Sequence, residues 1–384
     1  MTTLTWMQVC ARRLDRHALS TSVPVPVDVD PVAAVVSAIC GAHAQVASAA
    51  ELSIGLRVPG ATRARVRQAL WQDRTLVKSR GPRGTVHLLT STDLPMWIGA
   101  LSVMPPPPFE QNRDLLTPEQ TEQVLAAIAD ALRDADLTVA QLTDEIVLRT
   151  GSWAGDRVMD AFQDKWPRWI AAMVAAMRRG VMCFGPNQSR AVTYTSPARW
   201  LPGFAAMDGP AALAELVRRY LYAYGPATSA HLAQWLSVPK RWAADQLQSL
   251  NLDSVTVDGV RAWATAGDTE FPQERASGVW LLPYFDAYTV GCHPRELLFP
   301  GVAAERALAR GQAGNFPVLL VDGTVAGVWH QRRTGRTIHI TVEPFTSLNA
   351  RRRRALDEQV ERVGQVLEGT PSLTIGPVSV GAHA

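Results

Sequence analysis

"TRARVRQALWQDRTLVKSRGPRGTVHLLT", residues Thr62–Thr90, changes its periodicity partway along. Over its first dozen letters Val66 and Leu70 recur four apart, while Arg63, Arg67 and Gln68 share a polar face. That spacing predicts a helix, with Thr62 as its N-cap. From Thr75 onward two β-type runs, "TLVKSR" and "GTVHLLT", flank the turn letters "GPRG", which predicts a hairpin. A basic helix followed by a two-stranded hairpin is the end of a winged helix, provided two more helices precede it. In such a unit the third helix is the usual reader of a DNA groove.

The two helices are there. "DPVAAVVSAIC" has Asp30 as an N-cap, Pro31 at the first helical position and Gly41 as a stop. Ser48-Ala-Ala-Glu51 reads as a capping box that opens the next helix. Between them lies "HAQ". His43 and Gln45 would diverge on a helix but point the same way in extended backbone. The connection is therefore either a place where an imidazole and a carboxamide converge, or a simple turn.

The plan recurs twice more in pattern, though not in letters. Thr117-Pro118 opens a second copy, continued by "LTVAQLTDEIVLRTG", "RWIAAMVAAMRRG" and the hairpin "VMCFGPNQSRAVTY". A third copy runs through "AALAELVRRYLYAYG", "ATSAHLAQWLSV" and "PKRWAADQLQSLN" to "LDSVTVDGVRAWAT", where Asp258-Gly259 is a strong hairpin turn. From Phe271 short β-type runs take over ("GVWLLPYFDAYTVG", "PVLLVDGTVAGVWHQ", "TIHITVEPF"), with a helix at "RRRRALDEQVERVGQVLEG" and a short tail. These runs predict a small barrel or curled sheet, with "HQRRTGRT" as a basic loop or an exposed hairpin tip. The expected class is α+β, with three tandem winged-helix units and a small β-barrel. Boundaries are expected at 1–110, 111–205, 206–270 and 271–384.

At 384 residues with 47% apolar and 19% charged letters, the chain has enough material for several cores and is not of disordered composition. No apolar run reaches the ~18 residues of a membrane span, and the N-terminus lacks a signal-peptide pattern. Cys10, Cys40, Cys183 and Cys292 are scattered, which argues against a disulfide framework and fits a reducing cytoplasm. The net charge of +3 conceals basic blocks at Arg57–Arg83 and at Arg332, Arg333, Arg336 and Arg351–Arg354, with an acidic stretch from Glu110 to Glu145. Basic blocks of this kind either dock a polyanion or serve as solvated faces. With tandem winged helices the polyanion is double-stranded DNA, bound by a regulator without catalysis or by an enzyme acting on a base. A regulator would usually be a two-fold dimer, whereas three winged helices let a single chain embrace DNA as a monomer.

"HAQ", "RGTVHLLTSTDL", "LLPYFDAYTVG" and "VLLVDGTVAGVW" occur in this order along most of the chain, and in them it resembles the AlkZ/YcaQ family of winged-helix DNA glycosylases. The resemblance implies a C-shaped molecule that excises guanine alkylated at N7. It also implies a two-residue catalytic motif, commonly Gln-x-Gln or Gln-x-Asp, onto which His43 and Gln45 map. The His-x-Gln subgroup it resembles is associated with self-resistance to bulky DNA-alkylating natural products. The chemistry is coherent, because an N7-alkylated guanine is already cationic and leaves without an enzymatic acid. What remains is to position water and to stabilise an oxocarbenium-like sugar. A glutamine carbonyl can do both, and a neutral imidazole, with an unperturbed pKa near ~6.5, can also accept a proton. No lysine lies near the motif in sequence, so hydrolysis rather than Schiff-base chemistry is expected, with no cofactor.

Asp286, between the aromatics of "YFDAY", is expected to be buried and therefore paired. It either helps the water or the sugar cation, or caps the neighbouring turn or pairs with Arg295. Tyr284 and Tyr288 line a cleft or pack a core, and His87 faces DNA or is a satisfied, partly buried histidine. Arg63, Arg67, Arg80, Arg83, Arg332 and Arg333 are the candidate phosphate contacts. Cys292, His293 and His330 lack the spacing of a metal site, and no metal is expected. The enzyme is expected in the cytoplasm, on the nucleoid.

Overall fold

The computed structural model describes residues 2–106, 113–160 and 164–382. The boundary expected at 110/111 and Glu110, where the acidic stretch begins, lie outside them. The chain forms two compact units. One comprises Met1–Ala69, Val217–Trp235 and Pro239–Ala384; the other comprises Leu70–Leu216 and Leu236–Val238.

The second unit shows how local the helix signals are. Pro118–Ala131 and Val139–Thr150 each begin with a full capping box, Thr117 with Gln120 and Thr138 with Gln141. Their apolar stripes meet Trp169 and Met177 in one core containing Ile128, Leu142 and Ile146. The Trp169 indole N–H is satisfied by Thr143 Oγ1 at 2.9 Å. Strands Cys183–Gln188, Ala191–Thr195 and Leu137–Thr138 form an antiparallel sheet beside these helices. This unit also holds the hairpin of Leu76–Arg80 and Val86–Thr90, whose turn places Arg83 at φ 60°.

In the first unit, Leu252–Val257 and Val260–Thr265 form the hairpin expected at Asp258-Gly259, where φ is 44° and 83°. Thr2–Leu4 adds to it as a parallel third strand. Farther along, Val279–Leu282, Val318–Val321, Thr324–Thr334, Thr337–Pro344 and Thr370–Ile375 form a five-stranded half-barrel sheet in that order. One reading from sequence needs correction here, and one open alternative is decided. The short tail is a strand, because Thr370–Ile375 pairs in parallel with Thr337–Pro344. Of the two readings left open for "HQRRTGRT", the structure shows the hairpin tip. Pairing continues to Thr334↔Thr337, and Gly335, at φ 59°, lets two residues make the turn.

The Ala350–Leu367 helix covers this sheet, burying Leu356, Val360, Val363 and Val366 against Leu281, Leu319, Trp329 and Ile340. The Ala47–Arg57 helix joins the same core through Leu52. Its approach is so close that a Cβ on Gly55 would stand 2.4 Å from Val366. Arg362 then closes the last turn of that helix by donating to the carbonyls of Gly55, Val58 and Ala61. The helix that follows "HAQ" is thereby fixed to the sheet that precedes "YFDAY".

Candidate active site

The site begins at the end of a helix. Pro31–Ala38 is capped by Asp30, which accepts from the Val32 amide at 3.1 Å. At its other end the Gly41 amide reaches Val36 O and the Cys40 amide reaches Ser37 O. This is a Schellman closure with Cys40, at φ 54°, in the left-handed position. Schellman closure turns the chain out of the helix, and Ala42–His43 is extended. His43 and Gln45 consequently point the same way, and His43 Nε2 lies 3.4 Å from Gln45 Oε1. His43 is buried and Gln45 exposed.

The next helix differs in one detail from the sequence reading. It starts at Ala47 with Val46 as N-cap and no side-chain cap, so the Ser48–Glu51 box does not form. Glu51 is committed elsewhere, accepting from Arg67 Nε at 2.7 Å and Nη2 at 2.9 Å. A charge-assisted bidentate pair outcompetes a single bond to a neutral backbone amide.

Asp286 arrives from the other side. The sheet strand Val279–Leu282 ends where the Trp329 indole N–H takes the carbonyl of Leu282, at 2.9 Å. After Pro283 the chain turns, and Asp286 is the N-cap of the short helix Ala287–Gly291, bonding the Tyr288 amide at 3.0 Å. Its carboxylate is buried and paired with Arg57 through two bonds of 2.8 Å, and it also accepts from Ser53 Oγ at 2.7 Å. Burial alone would raise this carboxyl, but the Arg57 guanidinium and the hydrogen bonds outweigh it and hold the group below the usual carboxylate range. Arg295, the partner that sequence offers, donates instead to backbone carbonyls of Thr289, Val290 and Cys292. Arg57 falls in the basic block by sequence, yet its side chain is fully buried and its Nε donates to His17 O at 2.9 Å.

Phe285, next to Asp286, bridges the two halves. Its ring centroid lies 4.6 Å from that of His43, tilted by 54°. Tyr284, half-buried, stands 6.5 Å from Phe285. Tyr288 is core instead, fully buried with its hydroxyl on Gly323 O at 2.9 Å. Behind the ion pair, His17 is enclosed edge-on by Tyr224 and Tyr288. Burial, then the nearby Arg57, pushes its imidazole down to about 3. His87 is buried, with Nδ1 2.9 Å from Thr85 O.

The structure therefore brings His43, Gln45 and Asp286 into one neighbourhood, linked by Phe285. Sequence reading missed Ser53, Arg57 and Phe285. The available signal was the i, i+4 spacing of Ser53 and Arg57, which puts both on one helix face. The candidate phosphate contacts are more dispersed. Arg63 meets Glu368 at 3.1 Å, and Arg333 reaches the carbonyls of Gly335, Leu367 and Glu368. Arg332 is exposed on Thr324–Thr334, and Arg80 bonds Gly84 O inside its own hairpin, whose turn contains Arg83. Among the described residues no three His, Cys, Asp or Glu side chains gather where a metal could be held.

Comparison with known proteins gives consistent results. A family model described as DNA glycosylase AlkZ-like matches residues 36–366. A curated relative from Streptomyces sahachiroi, named interstrand DNA cross-link repair glycosylase, is 29% identical over 340 residues, covering 84% of this chain and 87% of the relative. The solved structure of Streptomyces sahachiroi DNA glycosylase AlkZ superposes with a TM-score of 0.79 at 25% identity, covering 98% of this chain and 100% of that one.

Proposed function

The chain belongs to the AlkZ-like DNA glycosylase family and is a DNA N-glycosylase, and from that premise we propose that it hydrolyses the N-glycosidic bond of N7-alkylated guanine, bulky and cross-linking adducts included. The name of the Streptomyces relative supports the cross-link part of this reading. The observation that carries the reading is the pairing of His43 Nε2 with Gln45 Oε1 at 3.4 Å on an extended connection between two helices. One group can take a proton, and the other can hold a water and face a cation. The alternative of a DNA-binding regulator without catalysis gives way to family membership.

Alkylation at N7 makes the base cationic. As the C1′–N9 bond breaks, its electron pair passes to the purine and neutralises it. The sugar gains positive charge, which the Gln45 carbonyl dipole opposes at close range. Water is held by Gln45 Oε1 and by His43 Nε2, the latter in the Nδ1-protonated tautomer and so an acceptor. It bonds through its oxygen to C1′ and passes its proton to Nε2, leaving an abasic site and a free, neutral N7-alkylguanine. Asp286 acts from behind, as the anchor of the Phe285 turn against the Ala47–Arg57 helix. Arg63, Arg67, Arg80, Arg83, Arg332 and Arg333 neutralise phosphates of double-stranded DNA. The protein works as a monomer in the cytoplasm, on the nucleoid.

Base release from duplex DNA containing N7-methylguanine, read as alkali-labile abasic sites, is the test. Wild type should release the base, and His43→Ala and Gln45→Ala should each lose about 10²-fold or more in rate while still binding DNA, as removal of one transition-state-stabilising group does elsewhere. A duplex cross-linked through guanine N7 atoms, run in parallel, should be unhooked. If wild type leaves both substrates intact, the N7-guanine assignment is wrong.

A further inference from the structure

Phe285 occupies a backbone conformation that aromatic residues avoid, with φ at 52°. Phe285 is not part of the fully buried core, being only partly buried. The conformation is imposed from both sides. On one side the Phe285 amide donates to Gly314 O at 3.0 Å. Gly314 is itself at φ 97°, and a Cβ there would stand 2.9 Å from Phe285 Cδ1, so this contact needs glycine. On the other side the adjoining Asp286 is held by Arg57, Ser53 and the Tyr288 amide. A buried ion pair reached from a helix 229 residues away in sequence is a firm support for a local conformation that the chain would otherwise leave.

What the strain accomplishes is visible in the ring contact. The Phe285 ring sits against the His43 imidazole at 4.6 Å, and that same imidazole meets Gln45 through Nε2. We propose that Phe285 is a positioning residue for base excision: the Gly314 and Asp286–Arg57 contacts press its ring onto His43, and the ring keeps the imidazole turned toward Gln45. The proposal rests on the reading of His43 and Gln45 as the pair that handles water. A ring face blocks rotation of the imidazole away from Gln45, and a smaller or more mobile side chain leaves that rotation open. Misplacement by about 1 Å is enough to cost on the order of 10²-fold in rate.

The experiment compares wild type, Phe285→Leu, Phe285→Tyr and His43→Ala in single-turnover release of N7-methylguanine. Dissociation constants for lesion DNA and thermal unfolding are measured on the same proteins. Phe285→Leu should lose about 10- to 100-fold in the single-turnover rate, with DNA affinity and melting temperature close to wild type. Phe285→Tyr, which restores an aromatic face, should return the rate to within about threefold of wild type. A Phe285→Leu variant that releases base at the wild-type rate, while His43→Ala is impaired, overturns the proposal and leaves the His43 reading standing. Undiminished release by His43→Ala overturns the His43 reading and this proposal with it. Loss of rate in Phe285→Leu accompanied by an equal loss of affinity makes Phe285 a DNA contact, which also overturns positioning.

Discussion

The helix Ala47–Arg57 contributes one partner to each of two arginine–carboxylate pairs. Glu51 accepts two bonds from Arg67 at 2.7 and 2.9 Å, and Arg57 gives two bonds of 2.8 Å to Asp286. Bond lengths and bidentate geometry are alike; surroundings are not. The Arg57 and Asp286 side chains are 0% and 0% exposed, whereas in the other pair Glu51 is 10% exposed and Arg67 53%. Water can solvate Arg67 when it leaves Glu51, so that pair is open to exchange on its arginine side. Nothing can replace Asp286 for Arg57 without leaving a buried charge unpaired, so that pair is a fixture. One fold thus uses the same chemical pair once in a dry setting and once in a setting that water reaches at the arginine.

The sharpest way to break this comparison is to remove one partner of the fixture. Asp286→Ala should destabilise the protein by about 3–5 kcal/mol, because an uncompensated guanidinium stays buried; denaturant unfolding measures it. A loss below about 1 kcal/mol would place both pairs in the same class.

Acid is the next probe of the buried side. His17 has a folded pKa pushed down to about 3, below its unfolded value, so the unfolded state binds the extra proton. Stability from the neutral imidazole is complete above about 6.5 and is lost as pH falls from there toward the folded value, at about 1.4 kcal/mol per unit. Asp286, also lowered, acts in the same direction but only in the carboxylate range and below. His17→Phe keeps the ring between Tyr224 and Tyr288 and should flatten the decline between about pH 6.5 and 5. Urea midpoints at several pH values check this, and parallel curves for wild type and H17F would show that His17 does not titrate with unfolding.

The pair that water reaches at Arg67 has smaller effects of its own. Arg67→Ala should weaken binding to all duplex sequences and lower the slope of log affinity against log salt by about 1. A salt titration by fluorescence anisotropy reads it, and an unchanged slope would remove Arg67 from the phosphate contacts. Smallest of all, Glu51→Gln should cost no more than about 1 kcal/mol in stability. It should tighten DNA binding about two- to fivefold by freeing Arg67; weaker binding would mean that Glu51 orients the arginine rather than holding it back.

Features set by neighbours along the chain are legible in the letters themselves. The Asp30 cap, the Thr117-Pro118 helix start and the Asp258-Gly259 turn all form as their letters indicate, because each involves atoms within a few residues of one another. The convergence of His43 and Gln45 is legible for the same reason, once the helix is stopped at Gly41. Glu51 shows the limit of that logic. Its letters fit a local cap, yet Arg67, brought alongside by folding, binds it more strongly. The burial and pairing of Asp286 follow from its aromatic flanks, but the identity of its partner does not.

Sequence by itself therefore determined the order of the helices and hairpins, the extended "HAQ" connection, the β-rich C-terminal part and the family to which the chain belongs. These depend on periodicity, caps, turns and short motifs, all short-range properties of the chain. Tertiary structure alone decided that Arg57 belongs to Asp286 rather than to DNA, that Glu51 holds Arg67, and that Phe285 is bent onto His43. The Arg57–Asp286 bonds span 229 residues, and no local propensity encodes a partner at that distance. Packing of Leu52 and Gly55 against the sheet and its covering helix sets the position of the Ala47–Arg57 helix, and desolvation then fixes which charges must pair.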